Sequence, residues 1–244
     1  MQELSPGRVK AVILAGGRGT RLRPFTVVLP KPLVPLGDKP VLEILLRRLA
    51  ASGFRDVVVS TGYLAELIMA VCGDGSRFGV NVSYSREEEP LGTAGPLARI
   101  EGLSDPAVVM NGDLLTTLSL PNLLAHHGRQ GADVTIATFR RQVRIDFGVV
   151  ETDAAGAFMG FREKPVHDLD VSMGVNVLSA RALAMIARGE RLDMPDLILR
   201  VRDAGGRVCC YREECHWLDI GRMDDYATAQ EEFAENESRY LGGA

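Results

Sequence analysis

The sequence has 244 residues, of which 46% are hydrophobic and 25% charged, so the chain can bury a full core and lacks the composition of a disordered protein. A formal net charge of −4 argues against a general nucleic-acid-binding protein, because binding to a phosphate backbone needs clustered excess lysine and arginine. No apolar run reaches the roughly 18 residues of a membrane span and no signal-peptide pattern opens the chain, so we expect a cytoplasmic protein with no nucleic-acid or membrane partner.

Short apolar runs alternate with amphipathic segments along the first half of the chain. The runs, rich in valine and isoleucine, lie at residues 9–15, 56–61, 80–85, 107–113 and 132–139. Runs this uniformly apolar indicate strands that are covered on both faces, which is typical of parallel sheets. Apolar residues recur every three or four positions at 41–52 and 64–73, which predicts helices. The alternation predicts an α/β fold with a doubly wound, mostly parallel, Rossmann-like sheet.

The second half of the chain departs from this alternation. From about residue 132 to 178 helical patterns are scarce, and shorter strand-like segments occur at 146–153, 157–165 and 171–179. This part predicts a small α+β insertion that forms a wall beside the main sheet. Helical patterns return at 180–189 and 194–205, and a polar segment at 221–236 predicts a surface helix. We expect a single domain over residues 1–244.

A glycine-rich loop follows the first predicted strand and extends from Leu14 to Pro40. Glycines let backbone N–H groups approach phosphates closely, and Arg18, Arg21 and Lys31 add positive charge, so the segment predicts a phosphate-binding loop rather than a structural turn. Two common phosphate loops are excluded. The dinucleotide pattern G-x-G-x-x-G fails at Leu22, and neither G-K-S nor G-K-T occurs in the chain.

At this loop the sequence resembles the sugar-1-phosphate nucleotidyltransferase family, whose signature is G-x-G-T-R-L-x-P followed by P-K-P. The matching residues are Gly17, Gly19, Thr20, Arg21, Leu22 and Pro24, then Pro30, Lys31 and Pro32. The likeness continues, in family order, in PLGTAGPL (90–97), NGD (111–113), FGVV (147–150), REKP (162–165) and WLDIG (217–221). Within the family, the motifs are most similar to those of mannose-1-phosphate and heptose-1-phosphate guanylyltransferases.

The resemblance implies an enzyme of EC class 2.7.7 that joins a nucleoside triphosphate to a hexose or heptose 1-phosphate and releases pyrophosphate. A phosphate monoester has a second pKa of about 6, so the attacking oxygen is ionised at neutral pH and no general base is needed. Catalysis then depends on positioning and charge neutralisation. The resemblance assigns catalysis to Arg21, Lys31 and Asp113, and implies Mg²⁺ held by Asp113 and Asp219. Taken singly, each aspartate could instead cap the following helix.

The resemblance also implies two sets of binding residues. Those expected to bind the nucleotide are Leu14, Ala15, Gly16, Gly17, Gly19, Thr20, Arg21, Glu87, Pro90, Gly92, Thr93 and Asp113. Those expected to bind the sugar phosphate are Gly148, Glu163, Lys164 and Asn176. The nucleotide-binding part then covers about residues 8–131 and the sugar-phosphate-binding part about 132–221, followed by a C-terminal helix at about 222–238.

The nucleobase is predicted from a single position. Glu87 stands five residues before Gly92. By resemblance, position 87 matches a base-contacting glutamine of the thymidylyltransferases. Guanine presents two donors, N1–H and N2–H₂, and a carboxylate is an acceptor only, so Glu87 favours GTP. The alternative is that Glu87 is one of three solvated acids, Glu87 to Glu89, and that the nucleotide is a thymidine, uridine or cytidine triphosphate.

Two other functions compete with this one. A catalytically silent subunit that senses nucleotide sugars could share the fold. Such a sensor could dispense with Lys31 or with one of the two aspartates, and it is disfavoured because Lys31, Lys164 and both aspartates are present. A nicotinamide-dependent dehydrogenase is disfavoured by Leu22. The expected partners are the two small-molecule substrates, a nucleoside triphosphate and a sugar 1-phosphate. The sequence leaves open which sugar is used and whether the chain forms a homo-oligomer.

Overall fold

The structure is a computed structural model that describes residues 4–103 and 106–241. Its strands are β1 (Lys10–Ala15), β2 (Pro35–Leu36), β3 (Lys39–Pro40), β4 (Asp56–Thr61), β5 (Asn81–Arg86), β6 (Ala107–Asn111), β7 (Leu114–Thr116), β8 (Val134–Arg144), β9 (Val149–Thr152), β10 (Phe158–Arg162), β11 (Val166–Leu178), β12 (Val208–Tyr211) and β13 (Trp217–Asp219). Its helices are α1 (Val41–Ala51), α2 (Ala65–Cys72), α3 (Leu120–Gln130), α4 (Ala180–Leu183), α5 (Met194–Asp203) and α6 (Met223–Tyr240). No helix in these two ranges is long and apolar enough to cross a membrane.

Seven strands form the central sheet in the order β12-β8-β11-β6-β1-β4-β5. The pairs β1–β4, β4–β5, β1–β6 and β8–β12 are parallel, whereas β11 is antiparallel to both of its neighbours, β6 and β8. Six strands therefore run in one direction and β11 runs in the other. The predicted α/β fold with a mostly parallel, Rossmann-like sheet is confirmed.

Side chains of the central strands alternate between two apolar cores, one on each face of the sheet. In β1, Ala11 and Ile13 pack into the first core and Val12 packs into the second, and all three are fully buried. The first core is covered by α1, α2, α3 and α6, and the second by α4 and α5. Burial on both faces explains why these strands are uniformly apolar in the sequence.

The insertion predicted for residues 132–178 is a ribbon of strands. β8 and β11 are 11 and 13 residues long, and their pairing is irregular between Ser172 and Asn176. β6 pairs only with residues 175–178 of β11, so the outer part of the ribbon projects past the sheet, where the hairpin β9–β10 joins its two long strands. Helices α4 and α5 follow the ribbon rather than lying within it. The division into a nucleotide-binding and a sugar-phosphate-binding part stays a prediction.

The helices differ from the sequence expectations in three places. Helix α3 was not among the predicted elements, and the helix predicted for 180–189 ends at Leu183. Beyond Leu183 the chain continues in tighter three-residue turns, with the Met185 N–H donating to the Ala182 carbonyl and the Ile186 N–H to the Leu183 carbonyl, both at 3.2 Å. The C-terminal helix continues to Tyr240 with a kink at Asn236, where φ is −130° and ψ is 23°.

Candidate active site

The carboxyl ends of β1 and β6 lie side by side at the centre of the sheet and carry the two main motifs. β1 pairs with β4 on one side and with β6 on the other, and ligands of open α/β sheets bind at such a switch point. The glycine loop follows β1, and Gly112 and Asp113 follow β6. The Gly112 N–H donates to the Leu14 carbonyl at 2.9 Å, which holds the two segments together.

A first cavity, with a volume of about 310 Å³, lies at these strand ends. Its wall includes most residues predicted to bind the nucleotide, namely Leu14, Ala15, Gly16, Gly17, Glu87, Pro90, Gly92, Thr93 and Asp113, and it includes Lys31. It also contains Pro32, Asn111 and Gly112, which belong to matched motifs but were not named as binding residues. Three predicted nucleotide-binding residues, Gly19, Thr20 and Arg21, are not part of this wall.

The glycine loop is folded tightly beneath the cavity. Gly19 has a φ of +58°, and a Cβ at this position would lie 2.9 Å from Thr26 Cγ2 and 3.0 Å from Lys31 Cβ. Thr26 Oγ1 donates to the Gly19 carbonyl at 2.7 Å. A Cβ on Gly16 would lie 2.5 Å from Glu87 Oε1. Glycine at position 19 therefore provides both the left-handed turn and the space that Lys31 occupies.

Lys31 and Asp113 form an ion pair on the wall of the first cavity, through Lys31 Nζ and Asp113 Oδ2. Both side chains are mostly buried, with 11% and 21% of their surface exposed. The second carboxylate oxygen, Asp113 Oδ1, is buried and has no hydrogen-bond partner among the described residues. Leaving a charged acceptor unsatisfied is costly, so this oxygen is suited to a ligand that supplies positive charge.

Asp219 is brought to Asp113 by pairing between two short strands. In this pairing Asp219 of β13 lies opposite Leu114 of β7, and the Ile220 N–H donates to the Asp113 carbonyl at 2.9 Å. Partial burial raises the pKa of Asp219, the negative charge of Asp113 raises it further, and the positive charges of Lys31 and Arg21 oppose the rise. Asp225 adds a smaller rise, so three carboxylates and two cations lie within electrostatic range of one another.

Neither aspartate caps the helix that follows it. The N-cap of α3 is Ser119, whose Oγ accepts from the Asn122 N–H at 3.3 Å. The N-cap of α6 is Arg222, with no side-chain cap hydrogen bond. The capping alternative therefore gives no account of Asp113 or Asp219.

A second cavity, of about 520 Å³, adjoins the first. The two share Leu14, Thr93 and Asn111 on their walls. The second is closed on one side by α5, and it contains Asn176, one of the four residues predicted to bind the sugar phosphate. Asn176 is buried, and its Oδ1 atom has no hydrogen-bond partner in the part of the chain that the structure describes. An unpaired amide oxygen in a cavity wall can accept from a hydroxyl group.

The other three residues predicted to bind the sugar phosphate lie on the projecting ribbon. A Cβ on Gly148 would lie 3.1 Å from Glu163 Oε2 and would also clash with Phe161, so Gly148 and Glu163 are neighbours. Lys164 is exposed and has a φ of +42° between β10 and β11. The structure places none of Gly148, Glu163 and Lys164 on the wall of either cavity.

The sequence model of the nucleotidyl transferase family matches residues 10–236. The chain belongs to the nucleotidyl transferase family. The matched range includes both cavities, the glycine loop and both aspartates.

Named relatives within this family differ in their nucleotides. A UTP–glucose-1-phosphate uridylyltransferase from Synechocystis is 35% identical, with 89% of this chain and 61% of the relative covered. A mannose-1-phosphate guanylyltransferase from Mycobacterium tuberculosis is 36% identical, with 90% and 63% covered. The chain thus spans about three fifths of the length of these curated relatives.

Solved structures share the fold over nearly the whole chain. HddC from Yersinia pseudotuberculosis matches with a TM-score of 0.70 and 26% identity, covering 92% of this chain and 99% of that one. A Bacillus anthracis protein crystallised with sucrose matches with a TM-score of 0.76 and 22% identity, covering 97% and 100%. At this identity the second match shows the fold alone.

Within this nucleotidyl transferase site, Glu87 differs from the two acids that follow it. Glu88 and Glu89 are exposed, whereas Glu87 is half-buried on the wall of the first cavity. Glu87 Oε2 accepts from the Leu91 N–H at 3.1 Å. Burial raises the pKa of Glu87, and the hydrogen bond from Leu91 opposes that rise. One carboxylate oxygen is therefore engaged by the protein, and Oε1 lies against Gly16.

The donor set of this nucleotidyl transferase suits a hard cation. Asp113 offers a buried, unpaired oxygen and Asp219 offers a second carboxylate, and Mg²⁺ is commonly bound by one or two carboxylates together with water and phosphate oxygens. No group of three or more His, Cys, Asp or Glu side chains able to hold a metal occurs among residues 4–103 and 106–241. The residues present fit a cation shared with a phosphate substrate rather than one held by protein alone.

Proposed function

We propose that this member of the nucleotidyl transferase family is a sugar-1-phosphate nucleotidyltransferase. One observation carries the proposal: a cavity lined by the glycine loop and by the Lys31–Asp113 pair adjoins a second cavity, and the two share a wall. A nucleotide in the first cavity and a sugar phosphate in the second would place an attacking phosphate oxygen beside the α-phosphorus. Both substrates are anionic, so the positive charges of Lys31 and Arg21 are needed where they meet.

The proposed reaction is an in-line displacement at the α-phosphorus of the nucleoside triphosphate. An oxygen of the sugar 1-phosphate forms the new P–O bond, the bond from the α-phosphorus to the bridging oxygen of the β-phosphate breaks, and pyrophosphate leaves with that electron pair. The attacking oxygen is already ionised at neutral pH, since the second pKa of a phosphate monoester is about 6. Positioning and charge neutralisation then supply the rate enhancement.

Each charged residue has a distinct part in this scheme. Lys31, held beside the first cavity by Asp113, would neutralise charge on the reacting phosphoryl group, and Arg21 would bind the triphosphate from outside the cavity wall. Asn176 would accept a hydrogen bond from a sugar hydroxyl through its unpaired Oδ1. Lys164 remains our candidate for the sugar phosphate on the basis of its matched motif, and from the ribbon it would have to reach inward.

Asp113 and Asp219 are our candidates to hold Mg²⁺. When bound, the ion would neutralise negative charge on the phosphate oxygens. The unpaired Asp113 Oδ1 supports this assignment, because it is the buried oxygen that the protein leaves unsatisfied. A metal-binding titration by calorimetry on the wild type and on Asp219→Asn tests it without reference to turnover.

We propose GTP as the preferred nucleotide. The two named relatives do not decide the point, because one is a uridylyltransferase and the other a guanylyltransferase. Support comes from Glu87, a carboxylate on the first cavity wall that can only accept hydrogen bonds, as the N1–H and N2–H₂ donors of guanine require. Oε2 already accepts from Leu91, yet each carboxylate oxygen has two lone pairs and can accept a second bond.

A substrate panel tests the proposed function. Purified protein is assayed for pyrophosphate release with GTP, ATP, UTP, dTTP and CTP, each against glucose, mannose and heptose 1-phosphates in the presence of Mg²⁺. We expect turnover with at least one pair and the highest kcat/KM with GTP. Absence of pyrophosphate release with every pair would contradict the enzymatic function and favour a silent, nucleotide-sugar-sensing protein.

Glu87→Gln tests the nucleobase assignment separately. Leaving a carboxylate unpaired against a wrong base costs roughly 1 to 3 kcal/mol, so the variant should narrow the margin of GTP over UTP or dTTP by about tenfold or more. Glu235→Gln is the control, because Glu235 is an exposed acid of α6 that lies outside the cavities lined by the glycine loop and by Glu87. An unchanged preference in Glu87→Gln, or a wild-type preference for UTP, dTTP or CTP, would remove the role of Glu87 while leaving the transferase function intact.

A further inference from the structure

Two segments that are about a hundred residues apart in the sequence meet between the cavities. We call residues 91–95 together with residues 192–194 the loop–helix junction. The Leu192 N–H donates to the Leu91 carbonyl at 2.9 Å, and the Leu192 carbonyl accepts from the Ala94 N–H at 2.9 Å. Residues 91–95, which we call the nucleotide-side loop, are therefore hydrogen-bonded to the segment that leads into α5.

Side chains complete this junction in an unusual way. Asp193 is the N-cap of α5 but its carboxylate does not cap that helix; Asp193 Oδ1 accepts from the Thr93 N–H at 3.1 Å and from the Thr93 hydroxyl at 3.4 Å. Thr93 Oγ1 in turn accepts from the Met194 N–H at 2.7 Å. A residue from the nucleotide-side loop thus caps the helix, and Asp193 orients the hydroxyl that does so.

Gly92 shows how closely the two segments approach. It has a φ of +81°, and a Cβ there would lie 2.5 Å from the Leu192 carbonyl oxygen and 2.7 Å from Asp193 Oδ1. Both the left-handed backbone and the lack of space require glycine at this position. The loop therefore cannot shift toward α5 without moving the helix.

The far side of the junction is fixed to the body of α5. Arg200, in the second half of this helix, binds both oxygens of the Glu190 carboxylate at 2.6 and 3.0 Å and also donates to the Met185 carbonyl at 2.9 Å. The chain just before the junction is thereby held to α5 itself. A displacement of residues 192–194 is transmitted to the helix as a whole.

The junction connects the walls of both cavities. Thr93 lies on the wall of the first cavity and on that of the second. Helix α5 contributes Met194, Pro195, Ile198 and Leu199 to the second cavity. A ligand in the first cavity that contacts Thr93 therefore also affects the position of α5, the helix that closes one side of the second cavity.

We propose that Asp193 is a positioning residue that couples the two cavities, so that binding in one strengthens binding in the other. The proposal rests on the proposed function, because it takes the nucleotide to fill the first cavity and the sugar phosphate the second. Binding of the nucleotide fixes Thr93, and through Asp193 it fixes the N-terminus of α5 over the sugar. The coupling is reciprocal, and couplings of this kind change affinity by roughly 5- to 150-fold.

Calorimetry on the intact chain measures the coupling directly. Mannose 1-phosphate, or the sugar 1-phosphate that the panel selects, is titrated with Mg²⁺ in the absence and then in the presence of saturating α,β-methylene GTP, or the same analogue of the selected nucleotide, which cannot be cleaved. The ratio of the two dissociation constants is the coupling factor. We expect about fivefold or more for the wild type.

Three variants separate coupling from simple stability. Asp193→Ala removes the acceptor for Thr93 and should reduce the coupling factor to below about twofold. Asp193→Asn keeps an oxygen that accepts from both the Thr93 N–H and the Thr93 hydroxyl, so the hydroxyl stays oriented toward the Met194 N–H and the variant should retain most of the coupling. Asp196→Ala is the matched control, because Asp196 is an exposed acid in the same first turn of α5, outside both cavity walls. It should leave the coupling unchanged.

The outcomes are distinct. The role of Asp193 would be overturned by any of three results: wild-type coupling in Asp193→Ala, equal loss of coupling in the alanine and asparagine variants, or no coupling in the wild type. In each case, turnover by the wild type would leave the transferase function standing. No turnover with any substrate pair would overturn both. If Asp193→Ala does not fold, Thr93→Val removes only the hydroxyl bridge and must show the same loss of coupling.

Discussion

Replacing Gly19 by alanine tests whether the glycine loop is built to leave room for Lys31. At a φ of +58° any residue with a Cβ is strained, by about 1 to 2 kcal/mol. The new methyl group would also lie 2.9 Å from Thr26 Cγ2 and 3.0 Å from Lys31 Cβ, and overpacking of this kind costs a further 1 to 3 kcal/mol, roughly. We therefore expect Gly19→Ala to be destabilised by about 2 to 5 kcal/mol in total.

Gly131 supplies the control for the backbone contribution. Its φ is +55°, and a Cβ there would have no neighbour within 4 Å, so Gly131→Ala should lose only about 1 to 2 kcal/mol. It precedes β8, at the amino ends of the parallel strands and thus away from the site. For a chain of this size 1 kcal/mol corresponds to roughly 2 to 4 °C in Tm, so thermal unfolding resolves the two variants.

The activity measurement decides the functional part of this prediction. Lys31 must move by a few tenths of an ångström in Gly19→Ala, and since a 1 Å misplacement can cost about a hundredfold in rate, we expect kcat for pyrophosphate release to fall by about tenfold. Gly131→Ala should keep the wild-type kcat. Equal losses of Tm in the two variants together with wild-type kcat in Gly19→Ala would refute the reasoning.

Three further predictions follow from the charged residues. Asp113→Asn and Asp219→Asn should each abolish most pyrophosphate release with the fold retained by circular dichroism, and a near-normal rate at saturating Mg²⁺ would contradict their role as metal ligands. Lys31→Ala should lower kcat more than it raises the nucleotide KM, whereas Lys164→Ala should act mainly on the sugar-phosphate KM; exchanged profiles would reverse the two assignments. The hydrogen bonds from Arg200 lower the pKa of Glu190 from 4.5 to about 2. The contribution of the Glu190–Arg200 pair to the free energy of unfolding should therefore be present above pH 4.5 and lost as the pH falls toward 2. Chemical denaturation of the wild type and Glu190→Gln checks this, because the difference in unfolding free energy between the two proteins should shrink as the pH falls from 4.5 toward 2.

The parts of the fold that local patterns encode could be predicted from the sequence. β1, β4 and β6 are mostly apolar because both faces of the sheet are buried, and that property is visible within five or six consecutive residues. The glycine loop is visible for a similar reason, since its turns require glycine within a short segment. Helix α3 was missed because Pro121, two histidines and Gly128 interrupt its apolar pattern, although Ser119 marks its start.

The meeting of Asp113 and Asp219 could not be derived from spacing. It depends on β7 pairing with β13, a contact between segments about a hundred residues apart, and only resemblance to a family suggested it. The coupling of Thr93 to Asp193 was invisible for the same reason, because neither residue belongs to a pattern that predicts the other. Lys164 shows the converse, since its motif predicts a role in binding while the backbone leaves it on the outer ribbon.

The charges of the cluster explain why a cation is required for the proposed reaction. Arg21 and Lys31 carry two positive charges, whereas Asp113, Asp219 and Asp225 together can carry three negative charges, so the cluster has no excess of positive charge without substrate. A nucleoside triphosphate and a sugar phosphate bring several negative charges into the same space, and the protein alone cannot balance them. The Lys31–Asp113 pair keeps both groups in place while leaving Asp113 Oδ1 free of protein partners in the described chain. That free oxygen is where a divalent cation arriving with the nucleotide would bind, which makes phosphate binding and cation binding two halves of one event.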